Sequence, residues 1–288
     1  MRGLVLSGGG ANGAFEVGAL QHLIGFKKIH YDVICGVSVG ALNGAILAQY
    51  PKGKEAEAVD HLVNIWDGVC RDSDIYKKWY WGLLGLLPAA WKGSAYCTDP
   101  LKHIVQEHLD PARLKSSGKK FRVGGVCWNT GEYRLWGERN ADIVNGVLAS
   151  SAFPLFFEDI PIDGFWYTDG GLRDITPIKA AIDLGCDRID VIQCGGPGVK
   201  QVKGKPGIVR KGLTMMEILL DEVDTCDYEK AEMINKLVLA GAPPSGKRLI
   251  ELNRLQPSGL LGDSLDFSEE RKIKNMKLGK RLAMALGW

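Results

Sequence analysis

The sequence predicts an α/β fold in which helices cover a mostly parallel sheet and a helical portion follows toward the C-terminal end. In the first part of the chain, strand-like and helix-like segments alternate, at residues 3–7, 14–24, 31–35 and 41–46. Continuous apolar runs that stop at turn residues are typical of buried strands, while spaced apolar positions are typical of helices. Strands that are joined through helices pair in parallel, because the crossover returns the chain to the same edge of the sheet.

The rest of the chain continues this pattern. Further strands are predicted at residues 121–128, 188–194 and 248–252, and a helix is predicted to begin near Pro177. A segment rich in Gly, Pro and Lys predicts a loop at residues 195–212, followed by helices at residues 213–239 and 268–286. We therefore expect a single domain over residues 1–288, with its motifs in residues 1–185 and a C-terminal helical portion at about 195–288.

The composition excludes several classes of protein. Of the 288 residues, 45% are hydrophobic and 24% are charged, which is ordinary for a globular domain. The net charge is +2 and no long basic run lies beside a cluster of aromatic residues, so a nucleic-acid partner is not expected. Three of the seven cysteines (Cys35, Cys127 and Cys194) lie inside apolar runs, so we expect a reducing compartment. No C-x-x-C pair is present, so neither a zinc site nor a redox pair is indicated. Because no signal peptide or membrane-spanning run is recognisable, the expected location is cytoplasmic.

Ser38 is the first candidate for a catalytic residue. It stands in the middle of residues 36–40, Gly-Val-Ser-Val-Gly, between a predicted strand and a predicted helix. A serine on such a sharp turn is strained and presents its hydroxyl at the carboxyl edge of the sheet. Gly36 and Gly40 remove the β-carbons that would otherwise collide across the turn. A serine between glycines can also simply cap a helix, so the pattern alone leaves both interpretations open.

A glycine-rich loop, residues 8–13 (Gly-Gly-Gly-Ala-Asn-Gly), follows the first predicted strand. Consecutive glycines can turn backbone N–H groups toward one point and so bind an anion. The loop also satisfies the dinucleotide pattern G-x-G-x-x-G, but that pattern requires an acidic residue at the end of the second strand, whereas Asp32 begins it. We favour an oxyanion hole formed by the amides of Gly8, Gly9 and Gly10 over a nucleotide loop or a turn without a ligand.

The expected base is a carboxylate rather than an imidazole. All five histidines precede residue 109, so no acid after them can complete the order Ser, acid, His of the α/β-hydrolases. Asp169 is the candidate, because Gly170 and Gly171 let the chain turn and keep the carboxylate accessible, although Asp-Gly is also common in plain turns. Since an aspartate is normally ionised at neutral pH, we expect no loss of activity that resembles the titration of an imidazole near pH 6.5.

Four sequence blocks in this order resemble the patatin-like phospholipase family. They are the glycine loop, the turn at residues 36–40 around Ser38 (the elbow), residues 149–157 (Ala-Ser-Ser-Ala-Phe-Pro-Leu-Phe-Phe) and residues 169–171 (Asp-Gly-Gly). The third block is similar to the family's A-S-x-A-x-P-x-x-F pattern, which spacing alone does not predict. The resemblance covers about residues 1–185 and implies a three-layer α/β/α fold.

The resemblance implies that Ser38 is the nucleophile and Asp169 the proton acceptor, with Gly8 to Gly10 as the oxyanion hole. It implies hydrolysis of fatty-acyl esters, as in phospholipases A and lysophospholipases, on a phospholipid or another acyl ester and without a metal or cofactor. Two positions depart from the family. Asn12 stands where the family often carries Arg or Lys, which is expected to weaken binding of an anionic head group. Ile175 stands where the family often carries Asn, which leaves the support of the Asp-Gly-Gly turn open.

Two segments have features of surfaces that contact lipid. Residues 76–96 concentrate Trp and Tyr around leucines, as in a lid, an interfacial patch or a packed core. The basic helix at 268–286 suits either an anionic lipid surface or a packed helix with a solvated face. Peripheral membrane contact therefore stands beside ordinary packing as an expectation. Transacylation by the same dyad, and lipid or nucleotide binding without catalysis, remain the alternatives to hydrolysis.

Overall fold

The computed structural model describes residues 1–79, 93–198 and 207–286. The helices in these ranges are α1 (Ala14–Leu20), α2 (Val39–Ala48), α3 (Glu55–Gly68), α4 (Asp99–His108), α5 (Pro111–Ser116), α6 (Ile143–Ser150), α7 (Ile178–Asp183), α8 (Ile208–Leu239) and α9 (Glu269–Ala285). The strands are β1 (Arg2–Leu6), β2 (Val33–Gly36), β3 (Lys77–Lys78), β4 (Tyr96–Cys97), β5 (Lys120–Cys127), β6 (Tyr133–Gly137), β7 (Ile160–Ile162), β8 (Phe165–Asp169), β9 (Arg188–Ile192) and β10 (Glu251–Leu255). Within this part of the chain, no helix combines the length and hydrophobicity that crossing a bilayer requires.

One sheet organises the molecule. Its strand order is β10-β9-β1-β2-β5-β8-β7, and β6 pairs with β5 beside this path. The pairs from β10 to β5 are parallel, while β6, β7 and β8 are antiparallel additions at one side. The expected mostly parallel sheet is therefore confirmed.

Helices cover both faces of this sheet. Alternate residues of a strand point to opposite faces, and Leu4 and Leu6 of β1 pack in one core while Val5 packs in the other. The first core also contains residues of α1, α2 and α3, and the second contains residues of α7 and α8. Strands that are apolar on both faces are typical of parallel sheets between two helical layers.

Strands β2 and β8 meet end to end along one edge of β5. Val123 of β5 pairs with Gly36 at the end of β2, and Gly125 pairs with Asp169 at the end of β8. Because β2 is parallel to β5 and β8 is antiparallel to it, the carboxyl ends of β2 and β8 point toward each other. The topology therefore brings the residues that follow β2 beside the residue that ends β8.

The C-terminal helix α9 packs closely on α1. A β-carbon at Gly18 would overlap the carbonyl oxygen of Met276, and one at Gly279 would overlap the carbonyl oxygen of Phe15. The buried ammonium of Lys272 donates to carbonyl oxygens at the end of α3. The exposed basic residues of α9 lie on the side away from these contacts, so the helix matches the interpretation of a packed helix with a solvated face.

The structure corrects several expected boundaries. The strand predicted at residues 248–252 instead begins at Glu251, because the register of β10 pairs Glu251 with Arg188. The helices α3 to α6 and the antiparallel strands were not predicted. Most of the aromatic segment, residues 80–92, lies outside the described residues; at its flanks, the Tyr76 ring packs against the ring of Tyr96.

Candidate active site

Ser38 lies on the tight turn between β2 and α2. Its φ of 55° and ψ of −128° fall outside the regions that residues with a β-carbon prefer, so the backbone is strained at this residue. A β-carbon at Gly36 would overlap the carbonyl oxygen of Gly40, and one at Gly40 would overlap the carbonyl oxygen of Leu6. Both flanking positions therefore require glycine.

Two serines hold the strained residue, one at its backbone N–H and the other at its carbonyl oxygen. The Ser38 N–H donates to the Ser150 hydroxyl at 3.1 Å, and the Ser151 hydroxyl donates to the Ser38 carbonyl oxygen at 3.2 Å. Both serines belong to the Ala-Ser-Ser-Ala block at the end of α6. Sequence reasoning recognised this block only by its resemblance to the family, because nothing in the spacing shows that it contacts the elbow.

Asp169 ends β8 and faces Ser38. Its carboxylate accepts a hydrogen bond from the Gly171 amide at 2.8 Å, and the Ser38 hydroxyl lies close enough to lower the pKa of Asp169. A β-carbon at Gly170 would overlap the carbonyl oxygen of Gly124, so the chain can leave β8 only through glycine there. The turn thus aims the carboxylate at the elbow and supplies one of its hydrogen bonds.

The ionisation of Asp169 differs from the expectation. Burial raises the pKa of Asp169 to about 7, although its hydrogen bonds from Gly171 and Ser38 favour the ionised form and lower the pKa. The assumption of an ordinary, fully ionised aspartate at neutral pH is therefore wrong. A carboxylate in this position titrates where an imidazole normally does.

The glycine loop lies directly beside the elbow. A β-carbon built on Gly8 would be 3.2 Å from the Ser38 β-carbon. The Gly8 amide donates to the Ile175 carbonyl oxygen at 3.1 Å, and is therefore engaged elsewhere. The amides of Gly9 and Gly10 have no acceptor among the residues that the structure describes. Of the three amides that the sequence suggested for an oxyanion hole, these two are the ones available to a ligand.

Asp227 supports the chain after the Asp-Gly-Gly turn. Its carboxylate on α8 accepts from the Ile175 amide at 2.9 Å and from the Thr176 amide at 3.1 Å. The question that Ile175 left open is thereby answered, since an aspartate 52 residues further along the chain supplies the hydrogen bonds. Asp174 lies against the same carboxylate, and burial together with Asp227 raises the pKa of Asp174.

A cavity of about 240 Å³ contains both Ser38 and Asp169. Its lining is mainly apolar and includes one stripe on each of α2, α3 and α4, the segment after β10, the glycine loop and part of α8. Among the described lining residues, the titratable side chains besides Asp169 are those of His108 and of the acidic residues Glu217, Asp221 and Asp224. An ester whose carbonyl lies at Ser38 could therefore extend an apolar chain between the helices.

None of the five histidines is a hydrogen-bond partner of Ser38 or Asp169 among the described residues. His61 and His108 hydrogen-bond to each other, and His30 contacts Glu55. His22 is buried in the π-helical turn that follows α1, and His103 is exposed on α4. Of these five, only His108 lines the cavity.

Comparison with known proteins identifies relatives of this chain. The sequence model of the patatin-like phospholipase family matches residues 4–182. A protein of Caenorhabditis elegans, whose name describes it as patatin-like phospholipase domain-containing, is 36% identical over 197 residues, which cover 67% of this chain and 17% of the relative. The uncharacterized protein YjjU of Escherichia coli K12 is 26% identical over 202 residues, which cover 66% of this chain and 51% of that protein.

The chain thus spans 17% and 51% of the lengths of these two relatives. Among solved structures, the crystal structure of VipD from Legionella pneumophila aligns with a TM-score of 0.47 and 14% identity, covering 99% of this chain and 66% of that one.

The family match includes all four sequence blocks that build the site. Residues 4–182 make up more than half of the 288 residues and contain the glycine loop, the elbow, the block at residues 149–157 and the Asp-Gly-Gly turn. The description of the family is that of a lipid hydrolase. The chain belongs to the patatin-like phospholipase family.

Proposed function

We propose that the protein is a serine lipid acyl hydrolase that cleaves fatty-acyl esters through a Ser38–Asp169 dyad and an acyl-enzyme. The observation that carries the proposal is the strained Ser38 beside the buried Asp169 carboxylate in one mainly apolar cavity. A nucleophile and its base in direct contact are what acyl transfer requires. The substrate is a phospholipid or another fatty-acyl ester.

In the first half of the reaction, the Ser38 hydroxyl oxygen attacks the ester carbonyl carbon while Asp169 takes the hydroxyl proton. The carbonyl electron pair moves onto oxygen and forms a tetrahedral oxyanion. When this intermediate collapses, the bond to the alcohol oxygen breaks and that oxygen takes the proton from Asp169. The products are the free alcohol and an acyl group on Ser38.

In the second half, Asp169 accepts a proton from water, whose oxygen attacks the acyl carbon. The bond to Ser38 breaks, and the serine oxygen recovers the proton from Asp169. The fatty acid leaves and the dyad returns to its starting state. A single carboxylate therefore serves as base and then as acid in each half.

The oxyanion of both intermediates is assigned to the amides of Gly9 and Gly10. Both belong to the loop that packs against Ser38, and both lack another acceptor among the described residues. Preorganised donors of this kind stabilise the developing negative charge at no cost in reorganisation. Gly8 contributes by anchoring the loop through its hydrogen bond to Ile175.

Labelling with a fluorophosphonate, followed by peptide mass spectrometry, tests the proposal. We expect one adduct, on Ser38, and none in the Ser38→Ala variant. An adduct on another residue with Ser38 unmodified would overturn the assignment of the nucleophile. Lipid binding without any adduct would instead favour a non-catalytic binding module.

Hydrolysis is separated from transacylation by the fate of the acyl group. Phosphatidylcholine vesicles are incubated with the protein in the presence of increasing glycerol, and free fatty acid and acylglycerol are quantified. A hydrolase releases mainly the free acid at low glycerol. Acylglycerol as the main product under these conditions would identify a transacylase.

A further inference from the structure

Three helices line the apolar part of the cavity with regularly spaced residues. The stripe on α2 consists of Leu42, Ala45 and Ile46, that on α3 of Leu62, Ile65 and Trp66, and that on α4 of Leu101, Ile104, Val105 and His108. Spacings of three and four residues place each set on one face of its helix. Each of these helices therefore presents one face to the cavity.

Hydrogen bonds between the helices show which end of the cavity is near the elbow. Asn43, one turn after Ser38, accepts from the Trp66 indole N–H at 2.9 Å, so this part of α3 lies near the dyad. At the other end of α2, the Gln49 side-chain amide donates to the His108 carbonyl oxygen at 3.0 Å. His108 therefore lies at the far end of the cavity.

The length of α2 sets the distance between the two ends. Gln49 follows Ser38 by 11 residues along the chain, and nearly all of them are helical. At the helical rise per residue this corresponds to about 16 Å. An extended fatty-acyl chain on Ser38 would thus end near His108.

The far end is polar, unlike the walls that lead to it. The Nδ1 atom of His108 is 3.1 Å from Nε2 of His61, whose Nδ1 is 3.0 Å from the Tyr50 hydroxyl oxygen. The Nε2 atom of His108 has no hydrogen-bond partner among the residues that the structure describes. A chain end that consists only of methyl and methylene groups cannot form a hydrogen bond with this nitrogen.

The hydrogen-bond chain allows His108 either to donate or to accept. If the Tyr50 hydroxyl donates to His61, the His61 Nε2–H donates to His108, and Nε2 of His108 carries a proton. If His61 donates to the Tyr50 oxygen, the protons shift along the chain and Nε2 of His108 becomes an acceptor. A hydroxyl group, which both donates and accepts, is satisfied by either arrangement.

We propose that the His108 end of the cavity selects fatty-acyl groups that carry a hydroxyl near the end distal to the ester. This selection rests on the proposed function, because it assumes that the acyl chain occupies the cavity. Burial, and next the neighbouring His108, lower the pKa of His61, which favours the neutral form of the His61 ring. His108 is accordingly a specificity-determining residue rather than a catalytic one.

The test compares 4-nitrophenyl dodecanoate with 4-nitrophenyl ω-hydroxydodecanoate, flanked by the decanoyl and tetradecanoyl pairs. For each pair we measure kcat/KM for the wild-type protein and for His108→Leu, His108→Gln and His103→Leu. His103 is the matched control, since it is an exposed histidine on the same helix. We expect the ratio of hydroxylated to plain ester to be on the order of tenfold higher in the wild type than in His108→Leu for at least one chain length.

The remaining variants separate selection from a loss of folding. His108→Gln retains a hydrogen-bonding side chain and should keep part of the preference, whereas His103→Leu should keep all of it. Equal ratios in the wild type and in a folded His108→Leu protein would overturn the proposal.

A second experiment measures binding without hydrolysis. Calorimetry gives the ratio of the dissociation constants of dodecanoic and ω-hydroxydodecanoic acid for the same proteins. If no ester were hydrolysed, the proposed function would fail, while the binding ratios would still decide the proposal about His108.

Discussion

The Ser150 hydroxyl accepts the backbone N–H of Ser38, the residue whose φ of 55° marks the strained elbow. A strained residue persists only when its surroundings hold it in place. A small rotation of the peptide at the Ser38 N–H would also move the Ser38 side chain away from Asp169, and the hydrogen bond to Ser150 opposes this rotation. In the proposed mechanism, the Ala-Ser-Ser-Ala block therefore positions the nucleophile, although its side chains carry no proton.

Removing this acceptor should impair turnover more than binding. We expect Ser150→Ala to lower kcat on 4-nitrophenyl butyrate by about tenfold or more, with little change in KM, because geometry at the nucleophile affects the chemical step. Ser116→Ala is the control, since the Ser116 hydroxyl bonds only to carbonyl oxygens of its own helix. A Ser150→Ala protein with wild-type kcat would contradict the positioning role.

A side chain in the glycine loop should disturb the oxyanion hole. Gly10 has a φ of +57°, and a β-carbon there would overlap the Ser264 carbonyl oxygen. Gly10→Ala should therefore shift the loop amides and lower kcat by about a hundredfold. The control is Gly25→Ala, because a β-carbon at Gly25 meets no atom within 4 Å. Unchanged kcat in a folded Gly10→Ala protein would count against the loop as the oxyanion hole.

Asp227 should stabilise the turn that follows the base. Asp227→Ala leaves the Ile175 and Thr176 amides without their acceptor, which should lower the free energy of unfolding by about 1–3 kcal/mol. Asp227→Asn keeps an acceptor oxygen and should retain most of the stability. Urea unfolding checks both, with Asp183→Ala as the control for loss of an exposed aspartate. If Asp227→Ala were as stable as the control, the turn would have other support.

The activity should fall as the pH drops below about 7. The pKa of Asp169 is raised to about 7 by burial, and only the ionised carboxylate can accept the Ser38 proton. Below that pH the ionised fraction, and with it kcat/KM, should fall by roughly tenfold per pH unit. Measurements on 4-nitrophenyl butyrate over a pH series give the midpoint.

A histidine would give a similar pH profile, so substitutions are needed to decide whether Asp169 or a histidine titrates. Replacing each histidine in turn should leave the midpoint where it is in the wild type. A midpoint that moved or vanished with one histidine would assign the titration to that imidazole. A profile that stayed flat well below pH 7 would show that Asp169 is not the titrating base.

The sequence predicted the parts of the fold that local patterns specify. The buried strands β1, β2 and β9 and the helix after the elbow follow from apolar runs and turn residues, and they were recognised within a few residues. The short strands β7 and β8 were missed because they are defined by pairing: β7 pairs with β8, and β8 pairs with the part of β5 beyond the end of β2. That relationship brings Asp169 to Ser38, and no local pattern contains it.

In the site, too, some features follow from local sequence patterns and others depend on long-range contacts. The glycines around Ser38 and Asp169 mark turns that only a few residue types can make, so those two residues are recognisable in the sequence. The roles of Ser150 and Asp227 depend on contacts across 112 and 52 residues, which spacing does not reveal. The raised pKa of Asp169 and the engagement of the Gly8 amide by Ile175 likewise depend on packing.

We propose that Ser38 and Asp169 form the catalytic pair without a histidine. The most direct measurement is kcat/KM on 4-nitrophenyl butyrate for Ser38→Ala, Asp169→Asn and each of the five single histidine variants, with circular dichroism to confirm folding. Asp169→Asn keeps the shape of the side chain but removes its basicity. We expect losses of several orders of magnitude for Ser38→Ala and Asp169→Asn, and small changes for every histidine variant. A folded histidine variant as impaired as Ser38→Ala, or an Asp169→Asn protein with near wild-type activity, would contradict the assignment of this pair.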